Sequence, residues 1–259
     1  MACEIEQKSI SSDVSLTPER VSRYFGESKN YLDIRRYIIE IRKESVRELI
    51  GNRKLDRILD IGCGDGSISL PLLNAQNRLT LLDVSDRMLA RALSRVSPQL
   101  LRNVGTINED FLSASLEAGS YDLITCIGVL AHVESPELVI MKAASLLRPG
   151  GLLILECTDA ENFTNRLTLL VGRIRKLFSS GSGYRTRLNS ADDVVRMGNG
   201  QGLDLLSVYR YNVALPLMGK LFSQATLRRI ILGIYGTPKN NRNQWLGKEC
   251  LFLFQRGRA

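Results

Sequence analysis

The sequence predicts an α/β protein built on a doubly wound sheet of seven strands. Three observations carry that prediction. Seven short apolar runs recur along the chain, and helical patterns separate most of them. The first run ends in three glycines at alternate positions, Gly62, Gly64 and Gly66, which is the turn of a nucleotide-binding strand-turn-helix unit. Carboxylates stand at or just past the ends of the first three runs, at Asp60, Asp83 and Asp110, where open α/β sheets bind their ligands.

Bulk properties narrow the class. A chain of 259 residues with 44% apolar content suits one α/β domain with additions. No run approaches the ~18 uninterrupted apolar residues of a spanning helix. The opening residues Met1 to Lys8 lack the basic and apolar regions of a secretory signal. Cys3, Cys63, Cys126, Cys157 and Cys250 are scattered singly, which points to reduced thiols and a cytoplasmic protein. His132 is the single histidine, so no metal site is expected. The net charge of +8 is concentrated. Residues 160–189 carry six basic side chains against Glu161, and residues 214–247 carry five and no acid. Such segments point to an acidic partner, or to no more than a solvated basic face.

In chain order, Thr17 caps a short helix with Pro18 at its first position and Val21, Tyr24 and Phe25 following. From about Tyr31, the residues Ile34, Tyr37, Ile38, Ile41 and Leu49 recur at helical intervals until Gly51 stops the run. Residues 1–51 therefore read as a helical cap, and 52–259 as the main domain with insertions at about 160–189 and 214–247. Leu55 to Ile61 is the first strand, and Ser67 to Leu73 is compatible with a helix after the turn. The glycine spacing fits neither a dinucleotide fingerprint, since Ser67 stands where the third glycine belongs, nor a P-loop, since no Gly-Lys-Ser/Thr follows.

The stretch Asp60-Ile61-Gly62-Cys63-Gly64-Asp65-Gly66 resembles the first motif, D-x-G-x-G-x-G, of the class I S-adenosylmethionine-dependent methyltransferases. That resemblance implies a Rossmann-like methyltransferase fold, parallel but for its last strand, with S-adenosyl-L-methionine as cofactor. It implies cofactor contacts at Asp60, Gly62, Cys63, Gly64 and Gly66. Arg78 to Asp83 is the second strand, and a carboxylate 23 positions after Asp60 can take ribose hydroxyls. The resemblance adds Val84 and Met88, the latter near the adenine. Val104 to Asn108 is the third strand, and Asp110 and Phe111 then correspond to the family's acceptor of the adenine amine and the residue packed on its ring.

Tyr121 to Val133 is a fourth strand running into a loop, and it resembles the family's YDLI…VLxHV segment, whose loop borders the transferred methyl group. Ile127 and Gly128 fall on that loop. His132 suits a general base for a hydroxyl nucleophile, and equally a structural residue bonding backbone. Glu137 to Leu147 is a helix with Leu138, Met141 and Ser145, and the small Ala144 beside them, as the face toward the sheet. Arg148-Pro149-Gly150-Gly151 resembles the family's L-x-P-G-G turn before the fifth strand, Leu152 to Cys157. A basic amphipathic helix over Glu161 to Phe178, a helix from about Ser190, a sixth strand over Asp204 to Asn212, a second basic helical stretch carrying Phe222, Leu227, Ile230, Ile231 and Ile234, and a last strand over Lys248 to Gln255 complete the chain. Both insertions are expected at the carboxyl edge, over the substrate.

The function implied is methyl transfer to a small-molecule acceptor at oxygen, close to the quinone-biosynthesis branch. The acceptor reading extends to anionic, lipid-like or carrier-bound molecules, with peripheral contact to an acidic membrane. Nucleic acid is not expected, because the aromatic interleaving of an RNA reader is missing. The rival classes are a cofactor-binding sensor or partner without turnover, and a nicotinamide oxidoreductase.

Overall fold

The computed structural model describes residues 36–162, 189–212 and 222–258. The expected helix after Thr17, Tyr31 and the basic helix over 163–178 lie outside those residues. Seven strands form one sheet: β1 (Arg57–Ile61), β2 (Arg78–Leu82), β3 (Val104–Ile107), β4 (Tyr121–Cys126), β5 (Leu147–Thr158), β6 (Leu203–Tyr211) and β7 (Glu249–Arg256). Their order is β3-β2-β1-β4-β5-β7-β6. All neighbours pair in parallel except β7, which runs antiparallel to both β5 and β6. Strand order reverses between β1 and β4, the switch point at which such sheets open a crevice at their carboxyl edge.

Among the described residues, five α-helices cover the two faces: α1 (Arg36–Ile50), α2 (Asp86–Leu93), α3 (Pro136–Leu146), α4 (Ala191–Gly200) and α5 (Gln224–Tyr235). Residues of α3 and α4, among them Val139, Ile140, Ala143 and Val194, share one apolar cluster with Ile124, Leu153 and Phe252 of the sheet. Residues of α1, α2 and α5, among them Ile41, Leu89 and Ile231, share the other with Leu79, Leu123 and Leu251. The alternation of side chains along each strand feeds both layers, which is why β4 and the middle of β7 are buried throughout.

Three expectations are corrected. The helix expected over 67–73 is a single 3-10 turn, Leu70–Leu72, because Pro71 supplies no N–H and the chain turns again at Asn74. The face of α3 turned to the sheet is Val139, Ile140, Ala143 and Ala144, whereas Leu138 and Met141 are 45% and 44% exposed. This helix is apolar on most sides, so periodicity alone left its facing undecided. Finally, α5 does not stand over the carboxyl edge. Ile231 and Tyr235 pack in the layer of α1, Arg228 pairs with Glu44, and the Tyr37 N–H donates to Gln224 Oε1 at 3.1 Å. The last two strands lie within one residue of the expected spans, and the Cys250 to Phe254 core of β7 is buried at every position.

At the amino edge, Asp122 accepts the N–H groups of Asp56 and Arg57 at 2.9 and 2.7 Å, tying β1 to β4 at the end remote from the crevice. The crevice end carries the glycines and acids.

Candidate functional site

The turn after β1 is shaped by its own backbone. Gly62, Gly64 and Gly66 adopt φ values of +63°, +53° and +71°, a region that L side chains enter at a cost of about 1–2 kcal/mol. The three differ in what a side chain would meet. A Cβ on Gly62 would lie 2.4 Å from Val129 Cγ2, and one on Gly66 would lie 2.7 Å from Leu70. Those two glycines admit protein neighbours: the loop after β4 and the 3-10 turn. A Cβ on Gly64 would meet nothing within 4 Å. Gly64 is the glycine whose bare face opens onto free space.

Asp83 stands just beyond β2 and fixes that face. Its Oδ2 accepts the Gly64 N–H at 2.8 Å and its Oδ1 accepts the Ser85 N–H at 2.9 Å. Burial pushes the Asp83 carboxyl up, and the two N–H bonds oppose the shift. Each oxygen keeps a lone pair beyond its backbone bond. Ser85 caps α2, its hydroxyl accepting the Met88 N–H at 3.4 Å. Val84 is half-buried between them, and Met88 is buried on α2.

Asp60 is turned inward. It is 2% exposed, with Oδ2 taking the Ser69 hydroxyl at 2.5 Å and Oδ1 the Thr125 hydroxyl at 2.7 Å. Burial pushes its carboxyl up to about 6 despite these two bonds, and the nearby Asp83 adds to the rise. Asp60 therefore braces the turn from inside, bonded to Ser69 and Thr125. Cys63 is buried, its thiol pushed up by burial, while its N–H donates to Leu82 O at 3.0 Å.

Asp110 is half-buried beyond β3. Its Oδ1 accepts the Leu112 N–H at 2.9 Å, and its carbonyl takes the N–H groups of Ser113 and Ala114. Phe111 is 5% exposed and packs in the core, with the Lys142 ammonium 5.1 Å from its ring centroid. Ile127 and Gly128 follow β4, Gly128 at φ +73°. His132 is half-buried at the end of a 3-10 turn, Leu130–His132, with its N–H donating to Val129 O at 2.8 Å. The glycine turn, the tip of β2 and the loop after β4 thus meet at the switch point, Gly62 touching Val129 directly.

Three supports escaped the sequence reading. Ser69 and Thr125 hold Asp60, Arg95 of the segment after α2 donates to Asp65 O, Asp65 Oδ2 and Ser67 Oγ at 2.8, 2.5 and 2.8 Å, and Asn108 donates to Asp83 O at 3.0 Å. None of these has a local signal, unlike the cap Ser85, a serine directly before a helical pattern.

Residues 59–153 match the family described as "Methyltransferase domain". A ubiquinone biosynthesis O-methyltransferase of Bordetella avium is 33% identical over 112 residues, 43% of this chain and 46% of that protein. The same-named protein of Coxiella burnetii is 29% identical over 153 residues, covering 58% of this chain and 64% of its own length. The chain thus spans between about half and two thirds of these relatives. Among solved structures, a SAM-dependent methyltransferase from Thermotoga maritima superposes with a TM-score of 0.65 at 18% identity, covering 92% of this chain and 99% of that one. That likeness is one of fold, the seven-stranded, mostly parallel, Rossmann-like sheet. No helix among the described residues is long and apolar enough to cross a membrane.

Proposed function

We propose that this protein transfers the methyl group of S-adenosyl-L-methionine to a small-molecule acceptor, at oxygen. The observation that carries the cofactor is Gly64, a positive-φ glycine bare toward open space whose N–H is pinned by the acid at the tip of β2. Such a cradle fits a nucleoside whose ribose lies over β2. In it Asp83 takes the ribose hydroxyls on its remaining lone pairs, and Asp110 takes the adenine amine on Oδ2. Gly62, Cys63, Gly66, Val84, Met88, Ile127 and Phe111 shape the walls, and Gly128 lets the loop after β4 lie close to the reacting carbon. The names of the sequence relatives support oxygen as the acceptor atom.

The cofactor supplies a methyl group already activated on a sulfonium sulfur. What remains for the chain is to hold a nucleophile at about 3 Å on the displacement axis and to exclude water. A base is optional, and His132 serves either as that base or as a brace of the loop. His132→Gln decides. We expect kcat to stay within about tenfold, because proton transfer to a base contributes typically about 10²–10⁴-fold and the activated donor does not depend on it. A loss of a hundredfold with a displaced acid limb of the pH profile would make His132 the base.

Calorimetry with S-adenosylhomocysteine, followed by transfer of radiolabelled methyl to phenolic and carboxylic small molecules, tests the whole reading. Binding without transfer to any acceptor favours the cofactor-bound sensor, and thermal stabilisation by a nicotinamide cofactor instead favours the oxidoreductase. The basic excess of segments 160–189 and 214–247 supports an anionic or lipid-like acceptor and contact with acidic membranes. Flotation with acidic liposomes at low salt, lost at high salt, tests that contact.

A further inference from the structure

A polar cluster lies on β5 and β6, beyond the strands that cradle the cofactor, and methyl transfer as outlined makes no use of it. Glu156 of β5 is 2% exposed. Arg42 reaches it from α1, donating from Nε to Oε1 at 2.8 Å, with Nη2 standing 2.6 Å from Oε2. Tyr211, the last residue of β6, donates its hydroxyl to the same Oε1 and accepts from Arg42 Nε at 3.2 Å. The Arg42 side chain is 16% exposed. Burial pulls its guanidinium down, but electrostatic attraction to Glu156, Tyr211 and Glu249 and the Glu156 hydrogen bond together outweigh it, and Arg42 stays firmly cationic.

Two hydrogen-bonding positions are left over. Arg42 Nη1 donates to no group among the described residues. Glu156 Oε2 is ion-paired but out of line, a buried oxygen without a hydrogen bond. Both look across the same gap in the backbone. A Cβ on Gly128 would lie 3.8 Å from Glu156 Oε2 and 4.0 Å from Arg42 Nη1, and the glycine leaves that place bare. Gly128 directly follows β4, next to the switch point, so the free edge of the guanidinium faces the loop that borders the proposed methyl-transfer corner.

A buried ion pair is a poor way to gain stability, since apolar residues of the same volume often do as well or better. A rigidly held guanidinium with an unused N–H is, by contrast, an efficient grip for an anionic oxygen. We propose that Arg42 binds an anionic oxygen of the methyl acceptor through Nη1, with Glu156 and Tyr211 as positioning residues that aim the guanidinium past Gly128. The assignment rests on the methyl-transfer reading and adds to it the acceptor's charge and the residue that selects it. Phenolate and carboxylate present the same oxygen chemistry to this group. A neutral ether does not.

The test uses the full chain saturated with S-adenosylhomocysteine and titrated with 4-nitrophenol, benzoate and neutral 4-nitroanisole. The wild type should bind one of the two acids about tenfold more tightly than the ether, the gain of one charge-assisted hydrogen bond. A phenol site also shows bound 4-nitrophenol in its yellow, ionised form at a pH where the free probe is mostly neutral; a carboxylate site shows benzoate binding alone. Arg42→Met combined with Glu156→Gln removes both charges and leaves no orphaned carboxylate. It should lose the preference while holding S-adenosylhomocysteine within about twofold, since neither residue lies in the nucleoside cradle. Tyr211→Phe keeps both charges and loosens the aim, so it should show an intermediate loss and a partial return of the probe's ionisation toward its free value. Should the double variant fail to bind S-adenosylhomocysteine, Tyr211→Phe and Arg42→Lys carry the decision. An ether bound as tightly as the acids, or variants that keep the preference, overturns the proposal. A wild type that binds S-adenosylhomocysteine but neither acid overturns it as well, whereas a wild type that does not bind S-adenosylhomocysteine overturns the methyl-transfer reading itself.

Discussion

The two halves of the sheet build their carboxyl edges by different means. Over β1 and β2 the edge is mostly backbone, with positive-φ glycines and N–H groups, and Asp83 accepts the N–H of a residue 19 positions away. Over β5 and β6 it is polar side chains, the charged Arg42 and Glu156 and the neutral Tyr211, joined across 114 and 169 positions. Beside them Asp159 pairs with Arg210 at 2.7 Å, and Thr158 donates to Glu249 at 2.9 Å. A nucleoside offers the same hydroxyls and amine every time and can be met by a fixed turn. An acceptor is met by side chains that many separate elements supply. The difference predicts that single changes on the first half act on cofactor affinity, and changes on the second act on what the cofactor reacts with.

The sharpest way to break that contrast is to fill the turn. Gly64→Val should remove measurable S-adenosylhomocysteine binding, a loss beyond about a hundredfold, because its side chain would occupy the only open face of the turn. The φ of +53° adds a stability cost of about 1–2 kcal/mol, which the domain should survive. Gly62→Ala is the counterpart. Its Cβ would strike Val129 Cγ2 at 2.4 Å, so the thermal midpoint should fall first. If Gly64→Val keeps full affinity, the turn does not touch the cofactor and the division between halves fails.

The same contrast explains what could be read from the sequence. Strand order, the antiparallel last strand and the acids at strand tips follow from consecutive residues and from a resemblance carried by them. Turn chemistry is local, so Gly62, Gly64 and Gly66 were legible as a turn. Their different duties were not, because Val129 and Leu70 come from other segments. Asp60 was read as a ligand-facing carboxylate. Ser69 and Thr125, 9 and 65 positions away, are what turn it inward, and no spacing rule connects them. The facing of α3 failed for a related reason: an apolar helix exposes Leu138 and Met141 once Val139, Ile140 and Ala143 have taken the sheet. Arg42 looked like an ordinary charge on an amphipathic helix, and only the fold brings it to Glu156.

Asp60 offers a second, smaller test. Its carboxyl titrates at about 6 in the fold against an ordinary 3.8. The folded state therefore favours the protonated form. This group's contribution is greatest below 3.8, and it declines as pH rises through about 6. At 1.36 kcal/mol per pH unit the fall is about 3 kcal/mol. Urea unfolding of the protein without cofactor should show that decline between pH 4 and 7, and Asp60→Asn, which keeps both hydroxyl contacts, should flatten it. A sulfonium bound nearby favours the ionised form, so the preference for S-adenosylmethionine over neutral S-adenosylhomocysteine should grow through pH 6 in the wild type and stay level in Asp60→Asn. Equal slopes in both proteins would remove Asp60 from the electrostatics of the crevice.

Ser85→Ala probes how much the backbone half relies on any one side chain. Its hydroxyl takes the Met88 N–H at the start of α2, and losing an N-cap costs about 1 kcal/mol. The Ser85 N–H, however, remains bonded to Asp83 Oδ1 whatever the side chain. Asp83 thus keeps its aim at Gly64, and S-adenosylhomocysteine affinity should stay within about threefold, well under the tenfold that 1.4 kcal/mol represents. A stability loss with affinity retained would confirm that this edge is set by main-chain bonds. A tenfold loss of affinity would mean that the helix cap, through Met88, sets the nucleoside position, and the first half of the sheet would then depend on side chains as the second half does.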